Sequence, residues 1–225
     1  MVELTQVTKR FRDHLAVDSF DLSIPQGSLF GFIGPNGSGK TTTLRMMLDI
    51  IEPDSGSIQI FGESYKTAAN NAIGYLPEER GLYRKMTVLR QLMYFGNLKG
   101  LGNRDAKAVA LEWLDRLGLL DWKDKKVETL SKGMSQKIQF ISTVIAKPRL
   151  LILDEPFSGL DPVNLEVLRD AMLEMRKAGT TVIFSTHDMH VAERLCDHLC
   201  MIYQGQKVLD GSLDDDPVGL VQVEG

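Results

Sequence analysis

Cysteine is scarce in this sequence, with only Cys196 and Cys200 among 225 residues. Two cysteines are too few for a disulfide framework, and their Cys-x3-Cys spacing is not accompanied by a second pair or a nearby ligand cluster. Both are therefore expected to be buried small apolar residues. The protein is expected to occupy a reducing compartment.

Long apolar runs and an excess of positive charge are also missing. No stretch approaches the roughly 18 apolar residues that a membrane-spanning helix needs. The net charge of −4 gives no reason to expect binding to nucleic acid phosphates. Hydrophobic residues make up 43% and charged residues 25% of the chain, which is typical of a soluble globular protein with a sizeable core.

Strand and helix patterns alternate along most of the chain. Helical spacing follows Lys40, and the apolar run RLLILD at 149–154 indicates a strand buried on both faces. The order predicts an α/β fold with a mostly parallel sheet, antiparallel strands near the N-terminus and an inserted helical subdomain. We expect a single domain over 1–213, with the helical subdomain at about 80–145, and a short C-terminal tail at 214–225.

A P-loop pattern, Gly-x4-Gly-Lys-Thr, lies between an apolar strand and a helix. Its glycines let backbone N–H groups converge on a phosphate without Cβ clashes, and the helix N-terminus favours an anion. Lys40 can bridge the β- and γ-phosphates, and Thr41 can offer its hydroxyl to Mg²⁺. A plain glycine-rich turn is the alternative, but the flanking strand and helix favour a nucleoside triphosphate site. The predicted phosphate-binding residues are Gly34, Pro35, Asn36, Gly37, Ser38, Gly39, Lys40, Thr41 and Thr42.

A pair of carboxylates, Asp154 and Glu155, ends the predicted buried strand. Ligands of open α/β sheets bind at the carboxyl ends of the strands, so Asp154 is expected near the metal. The chain turns at a strand end, so Glu155 can face the γ-phosphate and orient or deprotonate an attacking water. The alternative is that the two residues form a structural acidic turn before Pro156, and the presence of a P-loop argues against it.

Further motifs follow in a fixed order: LSKGMSQKIQF at 130–140, SGLDP at 158–162 and STHD at 185–188. This order resembles the nucleotide-binding subunit of ABC transporters over about residues 2 to 213, which implies the ABC ATPase fold with a P-loop NTPase core. The sequence has no Asn-Lys-x-Asp motif for guanine, which argues against a GTPase.

The resemblance implies a role for each matching residue. Asp154 and Glu155 correspond to the Walker B aspartate and the catalytic base, and His187 corresponds to the switch histidine that hydrogen-bonds the γ-phosphate. Ser131, Gly133 and Met134 correspond to the signature motif, which in this family reaches the ATP of a partner subunit. Asp161 corresponds to the D-loop. The alternatives are a helix-capping Ser131, a turn aspartate at Asp161 and a structural His187.

An aromatic residue stacks on adenine in this family, and Phe11 occupies the matching place, with Val17 beside it. That motif is loose, so a core role for Phe11 at a strand end is the alternative. Glu78 stands where the family usually has glutamine. A carboxylate is a hard oxygen donor that can still bind Mg²⁺, although it adds negative charge near the phosphates. A solvated loop charge is the alternative for Glu78.

The signature LSKGM departs from the common LSGGQ, because Lys132 adds a cation and Met134 cannot make the hydrogen bonds of a glutamine amide. Lys132 lies either near the phosphate site or in solvent. These departures resemble the ATPases of ABC-2-type exporters, including the sodium-extrusion and multidrug kinds.

The family resemblance implies an ATP-hydrolysing motor with ATP and Mg²⁺ as its cofactors. It implies a dimer with a second ABC ATPase subunit, such as a second copy of this chain, and a separate transmembrane permease. The subunit would be cytoplasmic and peripheral on the inner face of the cell membrane. The loop at 79–88 is a candidate permease-docking surface, with Tyr83 and Met86 as its contacts.

Two other functions fit parts of the sequence. A soluble regulatory or assembly ATPase of the same family would share every motif but lack a permease. A P-loop kinase would share the phosphate loop, but it would leave the signature and D-loop motifs unexplained.

Overall fold

The computed structural model of the protein describes residues 1–67, 72–79 and 81–213. The predicted tail at 214–225 and residue 80 of the predicted helical subdomain lie outside the described residues. The described residues form two compact units, one made of 1–67 and 175–213 and the other of 72–79 and 81–174. They are called the first unit and the second unit below.

The elements alternate between strands and helices. In chain order they are β1 (Val2–Phe11), β2 (His14–Ile24), β3 (Leu29–Ile33), α1 (Lys40–Met47), β4 (Ser55–Ile60), β5 (Glu63–Ser64), β6 (Ile73–Leu76), α2 (Val88–Leu98), α3 (Asn103–Arg116), α4 (Lys132–Val144), β7 (Leu150–Leu153), α5 (Pro162–Lys177), β8 (Thr181–Thr186), α6 (Met189–Glu193), β9 (His198–Tyr203) and β10 (Gln206–Ser212). Short 3-10 turns lie at Leu120–Trp122 and Val127–Thr129.

The first unit contains an antiparallel sheet in the order β2-β1-β4-β5. Apolar residues alternate along β1 and β2, so one face of each strand enters the core. The same unit contains parallel strands: β3 pairs in parallel with both β8 and β9, and β10 returns antiparallel to β9. Phe20 and Phe32 meet edge to face, with ring centroids 5.8 Å apart. The predicted α/β class, with antiparallel and mostly parallel strands, is confirmed.

The final hairpin, β9 to β10, turns at Gln204 and Gly205. Helix α6 has only five residues, and Asp188 is its N-cap. Beyond the end of α6, the Asp197 carboxylate accepts a hydrogen bond from the Leu29 backbone N–H and pairs with Arg176, each at 2.8 Å.

The second unit contains the parallel pair β6 and β7 together with α2, α3 and α4. All four residues of β7 are buried, which confirms the strand predicted at RLLILD. Trp113 of α3 and Phe140 of α4 meet edge to face, with ring centroids 5.8 Å apart. No helix within residues 1–67, 72–79 and 81–213 is both long enough and apolar enough to cross a membrane.

Both cysteines are buried and free, as predicted. Burial raises the pKa of the Cys196 and Cys200 thiols far above the ordinary value, because a thiolate would lose its hydration. Cys196 also fills space beside β3: a β-carbon added to Gly31 would lie 2.5 Å from its sulfur. Gly31 therefore permits the close approach of the segment after α6 to β3.

We predict that Gly31→Ala destabilises the protein by roughly 1–3 kcal/mol, because the new methyl group overpacks against Cys196. Adding Cys196→Ala should recover part of this loss, since it removes the sulfur atom that the methyl group meets. The measurement is the free energy of unfolding in urea. Gly211→Ala is the matched control, because nothing lies within 4 Å of its added β-carbon. Strictly additive effects of the two substitutions would contradict the contact.

Candidate functional site

The predicted phosphate loop connects β3 to α1 in the first unit. Its first residue is fixed to the neighbouring parallel strand, because the Gly34 backbone N–H donates to the Thr186 carbonyl at 3.2 Å. Gly39 begins α1 with φ of 110°, in the left-handed region that favours glycine. A β-carbon on Gly39 would lie 2.5 Å from the Ala16 carbonyl oxygen. Both the backbone angle and the available space therefore require glycine at this position.

Lys40 lies inside the loop rather than in solvent, with 5% of its surface exposed. Its ammonium donates to the carbonyl oxygens of Gly34 at 2.6 Å and Pro35 at 3.1 Å. A buried ammonium needs such partners, because its desolvation is costly. These bonds hold the two ends of the loop around one positive charge.

The loop also contains polar groups suited to an anion. The Ser38 hydroxyl is buried and has no hydrogen-bond partner within the described part of the chain. The Ser38 carbonyl is used, since it accepts from the Gly205 backbone N–H at 2.9 Å. Thr41 and Thr42 lie in the first turn of α1, which has no acidic residue. An orphaned hydroxyl, a buried cation and a helix N-terminus form a cradle that fits a phosphate group.

His187 follows β8 directly and is exposed. The parallel register pairs Ile33 with Thr186, so His187 and the phosphate loop leave adjacent strands at the same edge. Asp188 then caps α6 by accepting a hydrogen bond from the His190 backbone N–H at 3.0 Å. The sheet therefore brings the predicted switch histidine beside the phosphate loop within the first unit.

Phe11 and Val17 have opposite environments. Phe11 ends β1 with 44% of its surface exposed, and the Lys9 ammonium lies 5.5 Å from its ring centroid. Its exposure argues against the alternative core role for Phe11. Val17 is fully buried, and its side chain packs beneath the loop at Gly39. In this structure Val17 therefore supports the loop and offers no surface to a ligand.

The predicted carboxylates gather in the second unit. The register pairs Leu76 with Leu153, and the Asp154 backbone N–H donates to the Leu76 carbonyl at 2.8 Å. Glu78 and the Asp154–Glu155 pair therefore follow adjacent parallel strands. A cavity of about 170 Å³ lies there, lined by Leu76, Pro77, Glu78, Lys132, Gln136, Gln139, Asp154, Glu155 and Ser158.

Glu155 has a backbone conformation that is uncommon for its residue type. Its φ is 49°, in the left-handed region, where a side chain with a β-carbon is strained by about 1–2 kcal/mol. The Glu155 carbonyl accepts a hydrogen bond from the Ser158 backbone N–H at 3.1 Å. The predicted turn at the strand end is thus present, and strain of this kind clusters at functional sites.

Residues of the signature and D-loop motifs lie close together in the second unit. Ser131 is the N-cap of α4, and its hydroxyl accepts from the Met134 backbone N–H at 3.2 Å. The Asp161 carboxylate accepts from the Asn164 backbone N–H at 2.9 Å and from the Asn164 side chain at 2.5 Å. These two bonds hold the pKa of the Asp161 carboxyl below its ordinary value. Gly133 also approaches Asn164 closely, because an added β-carbon would lie 2.9 Å from the Asn164 side-chain nitrogen.

Two residues near the carboxylates were not identified from the sequence. Gln136 is buried in α4 and donates from Nε2 to the Pro156 carbonyl at 2.5 Å. Gly159 is adjacent to the Lys132 side chain. The polar residue Gln136 on the apolar side of a helix is a sequence pattern that could have identified it as a site residue. Nothing in the sequence indicates that Gly159 contacts Lys132.

The oxygen donors fit a hard cation. Mg²⁺ is usually bound by one or two carboxylates together with substrate phosphates, and Asp154 and Glu78 follow adjacent strands of one unit. Among residues 1–67, 72–79 and 81–213, no cluster of three histidine, cysteine, aspartate or glutamate side chains could hold a metal ion by itself.

The sequence is similar to a protein family and to several curated proteins. The family model described as ABC transporter matches residues 17–158. An uncharacterized ABC transporter ATP-binding protein of Bacillus subtilis is 50% identical over 215 residues, which cover 96% of this chain and 72% of that protein. A Nod factor export ATP-binding protein I of Burkholderia thailandensis is 36% identical, with 94% of this chain and 70% of that protein covered.

Solved structures have the same fold. An ATP-binding subunit of an ABC transporter superposes with a TM-score of 0.87 at 28% identity, covering 96% of this chain and 91% of its own. A dimeric ATP-binding cassette in a post-hydrolysis state, bound to ADP and Pi, gives a TM-score of 0.86 at 23% identity, with 95% and 99% covered.

We predict that Gly39→Ala destabilises the nucleotide-free protein more than Gly37→Ala. Both glycines have positive φ, but an added β-carbon on Gly37 has nothing within 4 Å, whereas one on Gly39 meets the Ala16 carbonyl. Gly37→Ala should cost about 1 kcal/mol of backbone strain, and Gly39→Ala should add a steric cost of roughly 1–3 kcal/mol. Urea unfolding without nucleotide measures both. Equal losses would mean that the close approach to Ala16 is unimportant.

Proposed function

The chain belongs to the ABC transporter family of ATP-binding proteins and is an ATPase, and from this we propose that it is the motor subunit of an ABC-2-type exporter. The observation that carries the proposal is the gathering of the predicted residues at strand ends. The first unit brings together the phosphate loop and His187, and the second brings together Glu78, Asp154 and Glu155. The similarity to Nod factor export proteins supports export as the direction.

The first unit is proposed to bind the triphosphate of ATP. Backbone N–H groups at the start of α1, from Gly39 to Thr42, and the Ser38 hydroxyl would donate to phosphate oxygens. Lys40 lies within the loop through its bonds to two carbonyl oxygens, and its ammonium is proposed to bind the β- and γ-phosphates. His187 is proposed to donate to the γ-phosphate, and Phe11 to stack on adenine.

Glu155 is proposed as the general base. Its carboxylate would accept a proton from water as the water oxygen attacks the γ-phosphorus, while the bond between that phosphorus and the bridging oxygen breaks. ADP and inorganic phosphate are the products. Only 7% of the Glu155 surface is exposed, which supports a role in a sheltered site where electrostatic interactions are strong.

Asp154, Glu78 and the Thr41 hydroxyl are proposed as the protein oxygen donors to Mg²⁺. The bound ion would neutralise charge on the phosphates. The nearly complete burial of Asp154, with 1% of its surface exposed, supports its assignment, because a buried carboxylate is stabilised by a cation.

A second copy of the chain is the proposed dimer partner. Ser131, Gly133 and Met134 of one copy would approach the γ-phosphate bound by the other, with Asp161 nearby. Ser131 begins a helix whose first turn lacks acidic residues, which supports binding of an anion at that end.

A transmembrane permease is the second proposed partner, and binding to it would hold the subunit on the inner face of the membrane. The docking surface is proposed around a cavity of about 620 Å³ that is lined by residues of 83–97 with Asn103 and Asp124. Tyr83 is half exposed and meets Tyr94 edge to face, with centroids 5.6 Å apart. The Tyr83 backbone N–H donates to the Gln91 side chain at 2.6 Å, which fixes the loop. A fixed, partly apolar concave surface suits a helix of a partner protein.

The nucleotide chemistry predicts different effects for two substitutions. Lys40→Met should weaken ATP binding, because it removes the cation from the phosphate loop. Glu155→Gln should keep ATP binding but lower the rate of phosphate release by about a hundredfold or more, since the amide cannot accept the proton. Calorimetric titration and a phosphate-release assay measure the two effects. Glu112→Gln on α3 is the control, and near-normal hydrolysis by Glu155→Gln would refute the assignment of the base.

The docking proposal predicts that Tyr83→Ala with Met86→Ala reduces recovery of the permease but leaves ATP binding intact. Tagged Glu155→Gln protein would be expressed in the native host, held with ATP and extracted in mild detergent, and its multi-span membrane partner quantified by mass spectrometry. Leu98→Ala, an exposed leucine on the same helix α2, is the matched control. Unchanged recovery of the permease places docking elsewhere, and recovery of soluble partners alone favours the regulatory ATPase.

A further inference from the structure

The first two turns of α4 contact the segment that follows β7 in the same chain. Gln136 donates to the Pro156 carbonyl at 2.5 Å. Gly133 lies against Asn164, which leaves no room for a β-carbon. The segment from Pro156 to Asn164 therefore packs along the helix that carries the signature motif, and Glu155 lies at its start.

Lys132 makes the third contact of this kind. Gly159 has φ of 68°, and a β-carbon added to it would collide with the Lys132 ammonium and lie 2.7 Å from Cε and 3.5 Å from Cδ. The end of the lysine side chain thus occupies the space that the missing β-carbon leaves. Lys132 also lines the 170 Å³ cavity together with Glu155 and Ser158.

We propose that Lys132 is a positioning residue for Glu155 of its own chain, acting through the turn from Glu155 to Gly159. The inference depends on the proposed catalytic role of Glu155. Lys132 covers the far end of the turn at Gly159, and Gln136 fixes its near end at Pro156. The ammonium is also the only cationic side chain among the residues that line this cavity within the described chain, and Glu78, Asp154 and Glu155 are its acidic lining residues.

The turn needs such support because its conformation is strained. Glu155 has a positive φ, and the backbone relaxes from that conformation unless the surroundings hold it. The hydrogen bond from the Ser158 backbone N–H to the Glu155 carbonyl closes the turn from within. Lys132 restrains it from outside, so loss of the lysine should misplace the Glu155 carboxylate while the phosphate loop of the other unit is unaltered.

A double-mutant cycle between Lys132→Ala and Gly159→Ala tests the contact in the purified full chain. Each single substitution should lower kcat for ATP hydrolysis about tenfold, because a base displaced by a fraction of an ångström loses much of its effect. The double variant should be no slower than the Gly159→Ala variant, since removal of the lysine makes room for the new methyl group. Rates that multiply to about a hundredfold loss would overturn the contact.

Three further measurements separate positioning from loss of structure. The KM for ATP should stay within about twofold of the wild type in Lys132→Ala, because only the chemical step is affected. Lys132→Arg should recover most of kcat, as a long cationic side chain can cover Gly159. Lys107→Ala, at an exposed lysine of α3, should leave kcat unchanged. A raised KM with normal kcat, or no recovery by arginine, would refute the positioning role.

A contact of Lys132 with the nucleotide of a dimer partner is the competing explanation, and it predicts different results. If Lys132 instead contacts phosphate across a dimer, Lys132→Ala in the Glu155→Gln background should weaken ATP-dependent dimerisation, measured by light scattering, and should not couple to Gly159→Ala. That result would overturn the inference. Failure of the proposed function is distinguishable, because it would appear as near-normal hydrolysis by Glu155→Gln whatever the behaviour of Lys132.

Discussion

Parallel pairing of short buried strands is the constraint on which the candidate chemistry depends. In the first unit Ile33 pairs with Thr186, and in the second Leu76 pairs with Leu153. The side chains proposed to act on ATP come within a few residues after these pairs, where the backbone turns away from the sheet. A bond from the Gly34 N–H to the Thr186 carbonyl, and one from the Asp154 N–H to the Leu76 carbonyl, continue the pairing by one residue. The strand ends are therefore aligned by the backbone alone.

Alignment of the strands would be of little use without a loop that accepts an anion. Lys40 has two roles in the loop. Its buried ammonium donates hydrogen bonds to the Gly34 and Pro35 carbonyls, and it supplies the positive charge for an anion. Its buried state requires these bonds, and the bonds in turn hold the loop curved around the charge. Gly39 lets the helix begin beside the Ala16 carbonyl without a side-chain cap. The loop is thus largely organised in advance, which lowers the entropic cost of binding.

The sequence allows the strands, the phosphate loop and the capped start of α4 to be predicted, because each has a local pattern that spans only a few residues. It is less informative about the segment after α6, where Asp197 contacts Leu29 and Arg176, which are far away in the chain. The left-handed conformation of Glu155 could not be predicted either, since a glutamate gives no local signal for a positive φ. The contact of Lys132 with Gly159 joins two motifs that sequence reading treats separately. Periodicity carries no information on such long-range packing.

In the structure, helix capping and phosphate binding by Ser131 are compatible. From sequence, a capping serine and a phosphate-binding serine are alternatives. In the structure the Ser131 hydroxyl oxygen accepts from the Met134 N–H, and a hydroxyl has one donor proton as well as two acceptor lone pairs. Capping uses only the oxygen as an acceptor, so the O–H can still donate to a phosphate oxygen. Met134 forms this hydrogen bond through its backbone N–H. The replacement of the usual glutamine by methionine therefore does not affect the bond. The first turn of α4 can therefore support its own helix, restrain the Glu155 turn through Lys132 and retain a donor for an anion, because each task uses a different group.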